Sequence, residues 1–374
     1  MFRELLTSAN ALPVVKKFSG DKDDLGTILK NSVWSDSDMP DAVILGISDD
    51  RVSLSSFKDA SDSIREQLYQ LKGFSESFRI VDLGNVKTGK EVTDTIAAVR
   101  LIAEEIGSME IPLLFLGGNQ CLTLPLFEGL NKNEAVLTVI DDRIDNHSQH
   151  KGGSDDIFLS NLSTESIVNL LAVQSFFLSP DSKENFSDEY NGSLFTLGEI
   201  RNGIREMEPY LRETDLVSFD FGSLKLSEAP GQIRNSPNGL TGEEACQLAW
   251  YAGISTKPGW FSIFGYNPEQ DPDHTGAMMA AQIVWYYLNG RSKNLDEIPM
   301  DEAVDFMHFI VPIEGIPEPV TFLKHPVSKR WWMEVPSPDC DLFPLRIPCS
   351  KKDYRKACKN EIPDRWWTSF NKSY

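Results

Sequence analysis

The chain has 374 residues, 41% of them hydrophobic and 25% charged, with a formal net charge of −20 at pH 7. Such a composition buries a substantial core. So acidic a field repels polyphosphate backbones and anionic bilayers, which excludes nucleic acid and membrane surfaces as expected partners.

Cys121, Cys246, Cys340, Cys349 and Cys358 are scattered and form no CxxC pair, which fits reduced cytoplasmic thiols better than a disulfide framework. No apolar run approaches the ~18 residues that span a bilayer. Residues 1–18 carry Glu4, Lys16 and Lys17 and do not read as a signal peptide. The expected location is cytoplasmic.

In chain order, short apolar runs alternate with amphipathic segments. Residues 42–47 (AVILGI) predict a buried strand, and residues 60–71 predict a helix with Ile64, Leu68 and Leu71 at helical spacing. A strand follows at 78–83 (FRIVDL), then a helix over 91–106 with Val92, Ile96, Val99, Ala103 and Ile106 in one stripe. Strands are predicted at 111–116 (IPLLFL), stopped by Gly117 and Gly118, and at 136–140 (VLTVI), running directly into Asp141. Beyond these come a helix over 164–173, a strand at 176–178 and a polar exposed loop over 181–192. Further strands are predicted at 194–197, 216–221 and 260–264, with helices over 242–253 and 276–288.

This βαβ alternation predicts an α/β fold, a three-layer αβα domain with a mostly parallel sheet, over residues 1–290. From there to residue 374 prolines become frequent and tryptophans pair, which marks a C-terminal extension. Ligands of such sheets bind beyond the carboxyl ends of the strands.

Three of those ends carry polar clusters: Gly117-Gly118-Asn119-Gln120-Cys121, Asp141-Asp142-Arg143-Ile144-Asp145 and Ser218-Phe219-Asp220-Phe221-Gly222. Singly, a glycine pair is a tight turn and an aspartate after a strand caps the next helix. Their order carries more information. The three segments resemble the signature segments of the ureohydrolase superfamily (arginases, agmatinases and formimidoylglutamases), with the formimidoylglutamase-like members nearest. Ala60-Ser61-Asp62-Ser63-Ile64-Arg65, Val81-Asp82-Leu83-Gly84, Ala229-Pro230-Gly231, Pro237-Asn238-Gly239-Leu240-Thr241 and Tyr266-Asn267-Pro268 extend the resemblance to about Gly290.

The resemblance implies an arginase-like fold. In that family two manganese ions hold a bridging hydroxide, which attacks a guanidinium or amidine carbon. It implies that Asp141 and Asp220 are the carboxylates touching both metals and that Asp145 serves one of them. Gln120 stands where that metal has a histidine in the family. Arg143 stands at the second metal's histidine, Gly222 at its carboxylate, and Gly265 at a glutamate that helps bind substrate.

A guanidinium has no lone pair to offer a cation, so an intact binuclear manganese centre is not expected. Carboxylates converging in a buried cleft need neutralising. Arg143 is therefore read as a counter-charge that replaces the second metal, paired in bidentate fashion with Asp141 and Asp220. Asp141, Asp145, Asp220 and the amide oxygen of Gln120 could still form an oxygen set for at most one ion, Mn²⁺, Mg²⁺ or Ca²⁺. The other reading is no cofactor.

His147 and His150, in the polar loop after the second signature, are either a ligand-binding pair or solvated surface. Cys121, at the family's serine position, reads as a buried or half-buried thiol, and His274 as a cap or surface residue. In the extension, Trp331, Trp332, Trp366 and Trp367 either pin an irregular arm to the body or form a surface for a protein partner. Residues 354–359 predict a short basic helix begun by Ser350.

Two functions follow from this reading. One is a member without the hydrolytic centre, acting by binding a small molecule or by assembly, as a homo-oligomer like many relatives. The other is a metal-dependent C–N hydrolase that splits formimidoylglutamate into glutamate and formamide.

Overall fold

The computed structural model describes residues 2–35, 38–49, 51, 57–132, 134–144, 158–162, 166–293, 306–336 and 344–373. The main sheet has nine strands: β1 (Leu6–Thr7), β2 (Ala42–Ile47), β3 (Ile80–Val86), β4 (Leu113–Leu116), β5 (Val136–Ile140), β6 (Ile167–Val173), β7 (Leu194–Thr196), β8 (Leu216–Asp220) and β9 (Trp260–Phe264). Their spatial order is β1-β3-β2-β4-β9-β8-β5-β6-β7. All pair in parallel except β1, which runs antiparallel to β3.

Helices connect them: α1 (Pro13–Lys17), α2 (Leu25–Asn31), α3 (Ala60–Leu68), α4 (Val92–Ser108), α5 (Thr123–Gly129), α6 (Ser182–Tyr190), α7 (Leu197–Gly203), α8 (Glu208–Glu213), α9 (Gly242–Gly253) and α10 (Thr275–Arg291). The two-residue period of a strand sends alternate side chains to opposite faces. Along β2, Ala42 and Ile44 join one apolar cluster with Ile64 and Leu68 of α3, Leu248 of α9 and Val284 of α10. Val43, Leu45 and Ile47 join the other, with Val99 and Ile102 of α4 and Leu126 of α5. Both faces are covered, which is why the central strands read as unbroken apolar runs. This is the expected three-layer α/β architecture.

Three segments differ from the sequence reading. Residues 167–173 form a strand rather than the end of a helix: the buried run IVNLLAV lies between β5 and β7, whose ladders take its backbone groups. A short all-apolar run has no period to separate the two states. The strand expected at 176–178 is a turn of 3-10 helix over Ser175–Phe177. The polar stretch read as a loop forms α6, because Phe186 and Tyr190, four residues apart, bury one face with their rings 4.9 Å apart.

The extension is regular rather than an irregular arm. Strands β10 (Met307–Val311), β11 (Val320–Lys324), β12 (Trp331–Val335) and β13 (Leu345–Cys349) form an antiparallel sheet in that order. Helices α11 (Lys351–Ala357) and α12 (Asp364–Ser373) follow. Ser350 starts α11 with a capping box to Asp353, as the sequence suggested. Arg212 of α8, paired with Glu208, donates to the Trp331 carbonyl at 3.1 Å and lies 4.5 Å over the Trp332 ring. Arg365 lies 3.9 Å over Tyr210 and bonds Glu213 at 2.9 Å. Trp331, Trp332 and Trp366 are buried, whereas Trp367 is 51% exposed. Three of the four tryptophans therefore serve packing. Among the described residues no helix is long and apolar enough to cross a membrane.

Candidate active site at the carboxyl ends of the strands

The parallel ladder brings the three polar segments to one edge of the sheet. Gly117 and Gly118 follow β4 with φ of +79° and +84°, a left-handed conformation that glycine adopts without penalty. Gly117 N–H donates to Ile263 O at 3.0 Å, and Gly265 N–H to Gly118 O at 3.1 Å, tying the ends of β4 and β9 together. Asn119 then caps the turn over Gln120–Leu122 and delivers Gln120 inward. β5 delivers Asp141, Asp142 and Arg143. β8 delivers Asp220, whose carboxylate accepts from Gly222 N–H at 2.5 Å.

The sequence reading did not single out Arg234, and it is the centre of the site. Arg234 Nη1 donates to Asp141 Oδ1, and to Asp142 Oδ1 at 2.6 Å. Its Nη2 lies 3.1 Å from Asp220 Oδ2 and 3.5 Å from Asp141 Oδ2. One planar guanidinium thus meets three buried carboxylates, the geometry for which arginine is suited.

Arg143 behaves differently from expectation. It grips Asp142 through Nε at 2.8 Å and Nη2 at 3.1 Å, and its guanidinium lies 4.5 Å over Phe177. The cation between Asp141 and Asp220 is Arg234, which corrects the bidentate pairing assigned to Arg143. The reason is local reach: Arg143 turns onto its chain neighbour, while Arg234 arrives on a loop folded back over the strand ends. That loop is fixed by buried Gln232, whose Nε2 donates to Leu224 O at 2.9 Å. Backbone bonds from Leu226 N to Ser236 O and from Asn267 N to Gly231 O, both 2.8 Å, hold it further.

Gln120 lies between the same carboxylates. With its amide turned so that nitrogen meets acceptors, Nε2 donates to Asp141 Oδ2 at 2.9 Å and Asp220 Oδ2 at 3.2 Å. The amide then acts as a donor, where the sequence reading had its oxygen as a ligand. Gly222 leaves space for Arg234: a Cβ there would lie 3.2 Å from Arg234 Cδ and 3.0 Å from Asp220 Oδ1. Gly265, at φ +77°, likewise sits against Asp220, where a Cβ would meet Oδ1 at 2.9 Å. Cys121 is half-buried, and His274 is exposed at the start of α10. Asp145, His147 and His150 lie outside the described residues.

Among the described residues, three carboxylates and two guanidiniums leave the cluster short of one positive charge. Burial pushes the Asp220 carboxyl above its ordinary pKa despite the charge of Arg234. Burial acts the same way on Asp142, but there the Arg143 hydrogen bond and the Arg234 charge win and hold it below the carboxylate range. Burial also opposes the charged form of Arg143, and its bond to Asp142 overcomes this and raises its pKa.

A divalent ion needs several free lone pairs converging on one point. Here the oxygens of Asp141, Asp142 and Asp220 face guanidinium or amide N–H groups, and Arg234 has no lone pair to give. Among the described residues, no group of three or more His, Cys, Asp and Glu is arranged to hold a metal ion. As placed, these side chains do not fit a manganese pair.

Missing Arg234 from sequence is understandable. Its loop was recognised only by the flanking Ala229-Pro230-Gly231 and Pro237-Asn238-Gly239 elements. The one available signal was the surplus of carboxylates over cations at the strand ends.

Comparison with known structures agrees with this architecture. Formimidoylglutamase from Bacillus subtilis subsp. subtilis str. 168 superposes with a TM-score of 0.64 at 19% identity, covering 74% of this chain and 94% of that one. Trypanosoma cruzi formiminoglutamase with Mn2+2 gives 0.63 at 17%, covering 73% and 99%. Agmatine ureohydrolase of Thermoplasma volcanium gives 0.57 at 20%, covering 74% and 96%. No curated protein matches the chain in sequence. The Arginase family model matches residues 40–289, two thirds of the chain and all the strand ends just described. The chain belongs to the arginase family.

Proposed function

We propose that this arginase-family protein acts by binding or assembly, without a two-metal hydrolytic centre. The observation that carries the reading is the Arg234 guanidinium in contact with Asp141, Asp142 and Asp220. Metal activation of water supplies much of the rate in such hydrolases. A centre whose carboxylates neutralise arginine has no means to lower the pKa of water in that way. What remains chemically, among the described residues, is a polar floor of paired charges, with Arg143 and the exposed Phe176 and Phe177 at its rim. Such a floor suits recognition of a small polar molecule or of another chain.

A second reading is a metal-dependent hydrolase that converts formimidoylglutamate and water to glutamate and formamide. Two observations favour it: Asp141 and Asp220 keep their places at the strand ends, and one similar structure is a formiminoglutamase described with Mn2+2. Elemental analysis of the wild-type protein after incubation with MnCl₂, beside formamide- and urea-release assays, separates the two. The binding reading expects less than one metal per chain and no release above the uncatalysed rate. Two metals per chain with turnover would overturn it.

A further inference from the structure

We infer that Gly222 and Arg234 are two halves of one replacement: the glycine admits the arginine, and the arginine occupies a site where the carboxylates would otherwise hold a divalent cation. The inference deepens the metal-free reading above and rests on it for the wild-type protein. The stem of Arg234 runs past position 222 so closely that a Cβ there would lie 3.2 Å from Cδ and 3.6 Å from Cγ. A side chain at 222 would therefore crowd the stem from its first carbon. The φ of Gly222 lies outside the left-handed region, so steric room, and not backbone conformation, is what the glycine supplies. The guanidinium then does the electrostatic work of an ion. It contacts Asp141, Asp142 and Asp220 at once, and buried carboxylates without a counter-charge are strongly unfavourable.

Two independent ways of evicting Arg234 follow. Arg234→Ala removes it, and Gly222→Leu blocks its stem while adding no charge. Each should leave Asp141 and Asp220 converging beside the Arg143-bound Asp142 without their cation, and so free their oxygens as ligands for Mn²⁺.

The experiment is a set of thermal melts on wild type, Arg234→Ala, Gly222→Leu and the double variant, in EDTA and in MnCl₂. In EDTA, Arg234→Ala should lower Tm by roughly 5–10 °C. Gly222→Leu should lower it more in the wild-type background than in the Arg234→Ala background, where no stem remains to displace and only the 3.0 Å approach of its Cβ to Asp220 Oδ1 is left. MnCl₂ should raise Tm for both single variants and leave wild type unchanged, since a ligand stabilises only a state that binds it. Gly222→Leu reports on the site even where Arg234→Ala does not fold.

Equal losses from Gly222→Leu in both backgrounds would overturn the pairing. Variants that ignore Mn²⁺, or a wild type that responds as they do, would overturn the replacement. The coupling in EDTA is independent of turnover, so hydrolysis by wild type would sink the functional reading and leave this result to be judged separately.

Discussion

Arg143 holds Asp142 with two nitrogens, at 2.8 and 3.1 Å, and leaves Asp141 and Asp220 to Arg234. The two arginines should therefore differ in importance. Arg234 is the more deeply buried, with a side chain 12% exposed against 22% for Arg143. Removing Arg234 strands Asp141 and Asp220, while Asp142 keeps Arg143, and costs about 3–5 kcal/mol. Removing Arg143 leaves Asp142 with Arg234, a loss of about 1–2 kcal/mol. Urea unfolding of Arg234→Ala and Arg143→Ala checks the ranking, and the reverse order would contradict the assignment of Arg234 as principal counter-charge.

The pH dependence of stability should carry two opposed contributions from this cluster. Asp142 has a lowered folded pKa, so its stabilisation is present above the ordinary carboxylate value and is lost as pH falls through the folded value. Asp220 has a raised folded pKa, so the native state binds its proton more tightly than the unfolded chain. Its stabilisation is present below the ordinary value and is lost as pH rises through the folded one. Asp220→Asn should remove a decline in unfolding free energy on the high-pH side of normal carboxylate titration. Asp142→Asn should remove one on the low-pH side. Denaturation curves at stepped pH test both, and an Asp220→Asn profile parallel to wild type would exclude the first.

Gly265 should resist substitution by the glutamate that the family resemblance implies at that place. Its φ of +77° disfavours any L side chain, and a Cβ would approach Asp220 Oδ1 to 2.9 Å. Gly265→Ala is expected to cost about 1–3 kcal/mol, with Gly265→Glu worse, because it adds a carboxylate beside Asp220. Stabilities of the two variants equal to wild type would show that the loop relaxes freely.

The extension should be held by charge as much as by apolar contact. Arg212 is almost fully buried, ion-pairs with Glu208 and caps the Trp332 ring. Arg212→Ala should lose about 3–5 kcal/mol by leaving Glu208 and the Trp331 carbonyl short of a donor. Trp332→Ala should lose a similar amount through its cavity. The double variant should lose less than the sum, since the residues share one contact. Additive losses would mean that they act separately.

Much of the fold was legible because the central strands are buried on both faces. Residues 42–47, 136–140 and 260–264 had the predicted bounds, and so did α9. Residues 167–173 failed for the same reason: complete burial removes the alternation that separates strand from helix. The site was legible as a set of strand-end segments, and Asp141, Asp220 and Gln120 do converge. Its charge balance was not. Arg143 was the cation near in sequence, whereas the cation near in space comes from a loop 93 residues beyond Asp141. No local pattern encodes that distance.

The most direct test of the account is a crystal structure of the wild-type protein grown in excess MnCl₂, with anomalous scattering recorded at the manganese edge. The account predicts guanidinium density for Arg234 between Asp141 and Asp220 and no anomalous peak there. Two anomalous peaks among these carboxylates, with Arg234 turned away, would contradict it.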